Sequence, residues 1–558
     1  MPELEEEIEE ESEAEEAERP SGRKNQWSKL SHFGVSFPEP YKSDPRTNIL
    51  KIKGENIAMT QEQEEMAVAW AKKIGTPYVD DPVFQANFLS DFWRLFPEKY
   101  KDAKISDIVF PTLPEKVELT KEQKKAIAAE RKKKRLELKE KFGYAMVDGV
   151  KTEIANWVVE PPGLFMGRGQ HPMRGHWKPR IREEDIILNL DSIAEIPSGR
   201  WKIIHAPDNM WIASWTDKLS GKVKYVWLHD SSSIRQARDK SKYEKAKDLE
   251  RSIDKVRNFV SRAMSSKDPK IRKIATASFL IDKLAMRVGD EKDEDEADTV
   301  GASTLRVEHL KFRENAVDFD FFGKDYVRWQ KTLEIEPKDR AAIENLKEFS
   351  KGKKPDDLIF DGVTSRHVNE FLSKASSGLT AKVFRTYHAT SIVKSYLKKH
   401  NEFQEGTPEY EKLYQAKLAN LEAAIRCNHK RTPPKTFAQS LQKKEDRLKE
   451  LQQMQGKTDK QKAKLLERIA KMEKQIELTK ITQDYNLNTS LRNYIDPRVY
   501  KSWANRVGLD WKLLYTSTLQ KKMAWVDGKS AFAKNEEVSQ PDVTISTETV
   551  KSPIQVAK

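Results

Sequence analysis

Residues 436–481 constrain this chain more than any other stretch, because their periodicity admits essentially one packing. Lys, Glu, Gln and Leu dominate, and no aromatic residue occurs between Phe437 and Tyr485. Leu441, Leu448 and Leu451 mark the apolar stripe of a first helix. Gly456 interrupts it, and Thr458 with Gln461 forms a capping box that starts a second. Leu465, Ile469, Met472, Ile476 and Thr479 then step by four, three, four and three residues, a heptad seam that needs a partner helix. Two such helices of about equal length, joined by a tight turn, make an antiparallel coiled-coil hairpin. It returns the chain to where it left, so the residues before 436 become neighbours of those after 485. At the exit stands Asn488-Thr489-Ser490-Leu491-Arg492-Asn493-Tyr494-Ile495-Asp496-Pro497-Arg498.

The rest of the chain reads as an α+β multidomain protein. Residues 1–23 are an acidic tail with the composition of disorder. Thr60 and Gln63 open a helix bearing Met66, Trp70 and Ile74, and residues 82–96 form another, faced by Phe84, Phe88, Phe92 and Trp93. Thr120–Phe142 is a long charged helix whose Arg131–Arg135 run reads as a solvated face that steers an anion rather than grips it. From 144 to 230 short apolar runs (Trp201–His205, Met210–Trp215, Lys222–Leu228) predict a small, largely antiparallel sheet. Within that region Arg168 lies between Gly167 and Gly169, either an ordinary turn or a loop that brings backbone and one cation close to a ligand.

Helices are predicted at 234–268 and at 270–289, the second ending on Arg287 with Gly289 as its C-cap. An acidic loop, 290–298, precedes strands near 303–310, 316–322 and 325–329, with Lys324 at a hairpin tip. Helices follow at 337–349, 364–376, 386–400 and 407–428; beyond the coiled coil come helices 499–507 and 511–525 and a polar tail, 528–558.

Charge narrows the partner. The whole chain carries +13, although its first 18 residues hold 11 Glu and no cation, so the remainder is more basic still. A polyanion, most commonly nucleic acid, fits that balance. The single cysteine, Cys427, excludes a disulfide framework and a cysteine-based zinc site and suits a reducing compartment. No apolar run is long enough to span a membrane, no apolar signal segment opens the chain, and no Gly-x-x-x-x-Gly-Lys-Ser/Thr loop indicates ATP use.

A tyrosine that attacks a phosphodiester has a defined set of needs. Its phenol ordinarily ionises near pH ~10. The pentacoordinate transition state gathers negative charge that guanidinium forks and a histidine N–H can hold. The leaving 5′ oxygen needs a proton, which a lysine can give. No metal is required, and no cluster of metal ligands is apparent. Local context offers Tyr494, Arg287, Lys324, Arg385 and His429, each of which could equally be structural.

Taken together and in order, the stretches Glu160–Phe165 with Gly167-Arg168-Gly169 and His171-Pro172, Asp282–Gly289, Leu305–His309, Phe319–Asp325, Leu379–Tyr387, Cys427-Asn428-His429 with Pro433-Pro434-Lys435, and Asn493–Arg498 resemble the eukaryotic-type type IB DNA topoisomerases over roughly residues 25–526. The resemblance implies that Tyr494 forms a 3′-phosphotyrosyl link, that Arg287, Arg385 and His429 stabilise the transition state, and that Lys324 protonates the 5′ oxygen. It implies ATP- and metal-independent relaxation of either sign of supercoil by strand rotation, with no cofactor. It places Arg168, Asp325 and Asn493 beside the DNA, where camptothecin-type poisons intercalate. It further implies a mixed α/β cap lobe (24–233), a mostly helical, tyrosine-recombinase-like catalytic domain (234–435), the coiled-coil linker (436–485) and a C-terminal domain (486–527). The expected protein is a monomer on double-stranded DNA, away from membranes, intracellular and chromosome-associated: in the nucleoid or cytoplasm if archaeal-type, in the nucleus if eukaryotic. Two departures stand out. Leu491 occupies a position where the family usually has Lys, and a short acidic tail replaces the long basic arm of nuclear members. A tyrosine recombinase would share the chemistry but needs an arm for synapsis, and a DNA-binding scaffold would not need the catalytic set.

Overall fold

The structure, a computed structural model, describes residues 26–113, 120–290, 299–334, 336–434 and 436–527, without the side chains of Lys121 and Asp325. The acidic tail, residues 291–298 of the acidic loop and the polar tail lie outside the described residues. The chain divides into two compact units, one ending at Gln236 and the other beginning at Ala237.

In the first unit the helix Gln61–Ala71 starts at the Thr60–Gln63 capping box. Trp70 stacks on Phe88 of the helix Pro82–Phe92 with ring centroids 4.4 Å apart, and Phe84 and Phe92 complete that core. The basic helix Lys121–Phe142 is exposed from Glu122 onward apart from Lys139 and Phe142, which are partly covered. A Thr120–Gln123 capping box starts it, and Lys139 is paired with Glu153 near its end. The four-stranded sheet departs from the antiparallel expectation, because Lys202–Ile204 runs parallel to Ile187–Asn189. Residues 190–201 supply the crossover that a parallel neighbour requires. Its other pairings are antiparallel.

The second unit opens with α1 (Ser233–Met264) and α2 (Pro269–Leu284). A meander of β1 (Leu310–Phe312), β2 (Ala316–Gly323) and β3 (Val327–Glu334) follows. Then come α3 (Arg340–Ser350), α4 (Ser365–Ala375), α5 (Ala381–Lys399) and α6 (Glu409–Arg426). Helices α7 (Phe437–Gln453) and α8 (Asp459–Ile481) form the hairpin, and α9 (Leu487–Asn493), α10 (Pro497–Arg506) and α11 (Ser517–Lys522) close the unit. In the hairpin Ile476 is buried, while Leu465, Ile469, Met472 and Thr479 are partly buried and Leu466, off the seam, is exposed. The two helices are unequal, 17 and 23 residues, and α8 also packs on α6, where Lys474 lies 4.5 Å from the Tyr414 ring.

Two hydrophobic cores build this unit. One gathers α1, α2, the meander, α3, α4 and the start of α5, as far as Phe384. The other gathers α5 from Ala389 onward, α6 and the C-terminal segment through Leu491, Ile495, Tyr500 and Trp503. Each such side chain contributes about 1.5–3 kcal/mol by leaving water, so the C-terminal segment is firmly docked on α5 and α6. Arg385 lies on α5 between the last residue of the first core and the first of the second.

Candidate active site

Five supports carry the candidate residues. Helix α2 ends five residues earlier than its sequence suggested. Ala285 turns into the left-handed region (φ 54°) and Met286 is buried. Arg287 therefore leaves on extended chain rather than on a helical turn. Its carbonyl accepts from Ala302 N at 2.9 Å, and Val288 O accepts from Ser303 N at 2.7 Å, so a returning strap pins it. Gly289 permits that crossing: its φ is +83°, and a Cβ there would lie 2.6 Å from Gly301 Cα.

Helix α5 begins earlier than predicted, at Ala381, so Arg385 sits inside a helix and is buried. His429 follows the end of α6. Asn428 takes φ 54°, and His429 N donates back to Ala424 O at 2.8 Å. Tyr494 caps the C-terminus of α9, its N–H donating to Ser490 O at 2.9 Å. Its carbonyl accepts from Thr390 Oγ1 at 3.1 Å, and Thr390 Oγ1 in turn accepts from Asp496 N at 3.1 Å. The Asp496-Pro497-Arg498 turn after it is a helix start: Asp496 accepts from Arg498 N, Pro497 occupies the first helical position, and the Arg498 guanidinium holds Asp496 and Glu244. Lys324 stands on a separate support, the turn between β2 and β3.

The side chains of Arg385, His429, Tyr494 and Arg287 interlock. Arg385 Nη1 donates to Ala285 O at 2.7 Å, and Nη2 donates to Cys427 O at 2.8 Å and to His429 Nε2 at 3.0 Å. A guanidinium only donates, so Nε2 is the acceptor, and neutral His429 carries its proton on Nδ1, 2.6 Å from Ser490 Oγ. The His429 ring stacks on Tyr494 with centroids 5.0 Å apart and planes at 29°. The Arg385 guanidinium carbon lies 5.0 Å from the Tyr494 ring centre, and Arg287 hydrogen-bonds the phenol.

This geometry dictates the protonation states. Burial opposes the Tyr494 phenolate, but Arg385 and Arg287 outweigh it and bring the phenol down to about 7. Burial, then Arg385, Arg287 and Lys331, hold His429 well below the usual imidazole range. Burial works against the Arg385 charge, yet Tyr494 keeps that guanidinium above its ordinary value. A phenolate held at neutral pH between two guanidiniums is an activated oxygen nucleophile facing donors that suit a tetrahedral or trigonal-bipyramidal oxyanion. Among the described residues no group of three or more His, Cys, Asp or Glu gathers as a metal site.

The three remaining candidates stand on separate elements. Asn493 precedes Tyr494 at the end of α9. Asp325 follows Lys324 in the turn, its side chain outside the description. Arg168 belongs to the first unit, between Gly167 and Gly169, whose φ values are +61° and +57°. Leu491 turns inward and is buried in the second core. Three contributors escaped the sequence reading: Ser490, which orients His429, Thr390, which clips the Tyr494 backbone, and Lys331. Ser490 and Thr390 carry no periodic signal; Lys331 does, as a lysine in the inward row of a strand.

Comparison with known proteins finds matches over nearly all the described residues. Residues 25–228 match the model of the eukaryotic DNA topoisomerase I DNA binding fragment, 231–465 that of the eukaryotic DNA topoisomerase I catalytic core, and 466–533 a C-terminal topoisomerase domain. DNA topoisomerase 1 alpha of Arabidopsis thaliana is 37% identical over 541 residues, 89% of this chain and 58% of the relative. DNA topoisomerase 1 of Drosophila melanogaster is 35% identical, with 92% of this chain and 55% of the relative covered. DNA topoisomerase 1 of Homo sapiens is 35% identical over 556 residues, 92% of this chain and 72% of the relative. The chain thus spans little more than half the length of the plant and insect relatives and most of the human one. It belongs to the eukaryotic DNA topoisomerase I family.

Proposed function

We propose that this chain is a type IB DNA topoisomerase. The observation that carries the reading is the Tyr494 phenol set beside the Arg385 guanidinium, 5.0 Å from its ring centre, and stacked on His429. The phenolate oxygen attacks a backbone phosphorus, the P–O5′ bond breaks, and a 3′-phosphotyrosyl ester forms. Lys324 delivers a proton to the departing 5′ oxygen, and Arg287, Arg385 and His429 hold the nonbridging oxygens. For His429 to donate from Nε2, its proton must move off Nδ1; Ser490 permits this, because a hydroxyl accepts from Nδ1–H in one tautomer and donates to Nδ1 in the other. The free 5′ end rotates, relaxes supercoils of either sign, and attacks the ester in reverse. The ester conserves the phosphodiester bond energy, so neither ATP nor a metal cofactor is called for.

The cap lobe (24–233) and the recombinase-like catalytic domain (234–435) would clamp duplex DNA mainly through phosphates. Arg168, Asp325 and Asn493 would lie at the cut, making camptothecin-type poisons effective. The coiled-coil linker (436–485) would deliver the C-terminal domain, and the enzyme would act as a monomer. Eukaryotic relatives weigh toward the nuclear, chromosome-associated setting over the archaeal-type one. The test is incubation of supercoiled plasmid with the protein in EDTA without ATP. Relaxation by the natural protein, and its loss with retained DNA binding in Tyr494→Phe, is the expected result; binding without relaxation by the natural protein would sink the reading.

A further inference from the structure

Along β3, Val327, Trp329, Lys331 and Leu333 occupy the less exposed face, while Arg328, Gln330, Thr332 and Glu334 are exposed. Trp329 and Leu333 are buried in the first core, so Lys331 stands where the alternation asks for an apolar side chain. An ammonium in such a place is costly unless acceptors meet it. Two helix ends supply them. Lys331 Nζ donates to the carbonyl of Leu284, the last residue of α2, at 3.1 Å, and to that of Arg426, the last residue of α6. Terminal carbonyls lack intrahelical donors and carry the negative end of the helix dipole.

The neighbouring bonds continue the pattern. Arg426 Nη2 donates to Lys283 O at 2.6 Å, and Arg385 takes Ala285 O and Cys427 O. Arg287 lies three residues beyond Leu284, and His429 three beyond Arg426. Lys331 thus ties together the roots of the two arms that present those side chains. Burial and the charges of Arg426, Arg385 and Lys430 bring its ammonium down to about 7, against Cys427. The neutral amine would still have N–H groups to donate, so the tie does not depend on the charge.

We propose that Lys331 is a positioning residue for strand cleavage: its ammonium staples the C-terminus of α2 to that of α6 and so sets the spacing of Arg287 and His429 about Tyr494. The proposal rests on the catalytic assignment above. The test uses the full chain and a duplex oligonucleotide whose short downstream segment dissociates after cleavage, trapping the covalent complex. Rate constant and final amplitude are read separately at saturating enzyme, beside duplex affinity and a melting curve. Lys331→Met is expected to lower the rate constant about tenfold to hundredfold at unchanged amplitude and affinity, the scale of a misplaced catalytic group. Lys331→Arg, which keeps donors, is expected to recover most of the rate. A folded Lys331→Met that cleaves at the natural rate overturns the proposal. So does a loss of amplitude alone, which would mark a residue needed only for stability. Should Lys331→Met fail to fold, Lys331→Leu, which likewise has no donor, is held to the same criteria. Covalent complex formed by Tyr494→Phe would instead remove the catalytic assignment beneath the proposal.

Discussion

The ionisation of Tyr494 can be weighed from the structure. A descent from the ordinary value near ~10 to about 7 corresponds to roughly 4 kcal/mol favouring the phenolate. A unit charge 5.0 Å away, the separation of the Arg385 guanidinium from the Tyr494 ring, supplies about 3 kcal/mol at an effective dielectric of ~20. Arg385 therefore accounts for most of the effect, with Arg287 and its hydrogen bond adding to it and burial subtracting. Arg385→Gln should raise the phenol by about two units. At about pH 7.5 the ionised fraction would then fall from about three quarters to about three parts in a hundred. Single-turnover cleavage should drop at least about twentyfold, before any loss of transition-state binding is counted. It should also recover partly as pH is raised. The direct assay is ultraviolet difference titration of tyrosinate. One of the 15 tyrosines should titrate near neutrality in the natural protein, none in Tyr494→Phe, and the same band should move alkaline in Arg385→Gln. A neutral-pH tyrosinate that persists in Arg385→Gln would refute the electrostatic account, as would its absence from the natural protein.

Three further outcomes are expected. Ser490→Ala removes the 2.6 Å partner of His429 Nδ1; it should cost about 1 kcal/mol in denaturant unfolding and slow cleavage about tenfold, and an unaltered rate would contradict the orienting role. His32 is held down to about 4 by burial, against its bond to the Asn189 carbonyl. Its depressed value makes its stabilising contribution complete above pH ~6.5 and lost as pH falls toward 4, by up to about 3 kcal/mol. Hydrogen exchange in Leu30–His32 should accelerate over that window, and less so in His32→Asn. Ile476→Ala, at the most buried seam position of α8, should cost about 2 kcal/mol locally, raising exchange in α7 and α8 while the amides of α2 and the start of α5 keep theirs.

Signals that are local in the chain were legible in the sequence, and signals made by tertiary contact were not. The Thr60 and Thr458 capping boxes could be read because both halves of the motif lie three residues apart. The seam residues of α8 could be read because period alone selects them. The end of α2 could not. Leu284 to Gly289 continues an apolar-and-glycine pattern that a helix would accept, and only the strap through Gly301 and Ala302 stops it. The start of α5 was missed for the converse reason: Thr380 offers no side-chain cap bond, and the helix is begun by packing of Ala381, Val383 and Phe384. The parallel strand Lys202–Ile204 carries no more signal than an antiparallel one would. At the site, residue types and order were visible as a resemblance, whereas the stacking of His429 on Tyr494 and the tautomer imposed by Arg385 are facts of three dimensions.

The manner in which Arg385 is held has a consequence for ligand affinity. Its hydrogen bonds run to two peptide carbonyls and an imidazole, and those of Lys331 to two more carbonyls. Peptide dipoles orient a cation without cancelling its formal charge, as a carboxylate would. The geometry of Arg385 is therefore already fixed without a carboxylate, and the anion it faces, the Tyr494 phenolate, is itself the attacking group, so no carboxylate ion pair has to break before it engages a phosphate. Desolvation has been met during folding, and little reorganisation is left for the moment of binding. The same arrangement gathers like charges at close range, a standing repulsion that an incoming phosphodiester would relieve, so polyanion binding should raise the melting temperature of this unit through site chemistry as well as through mass action.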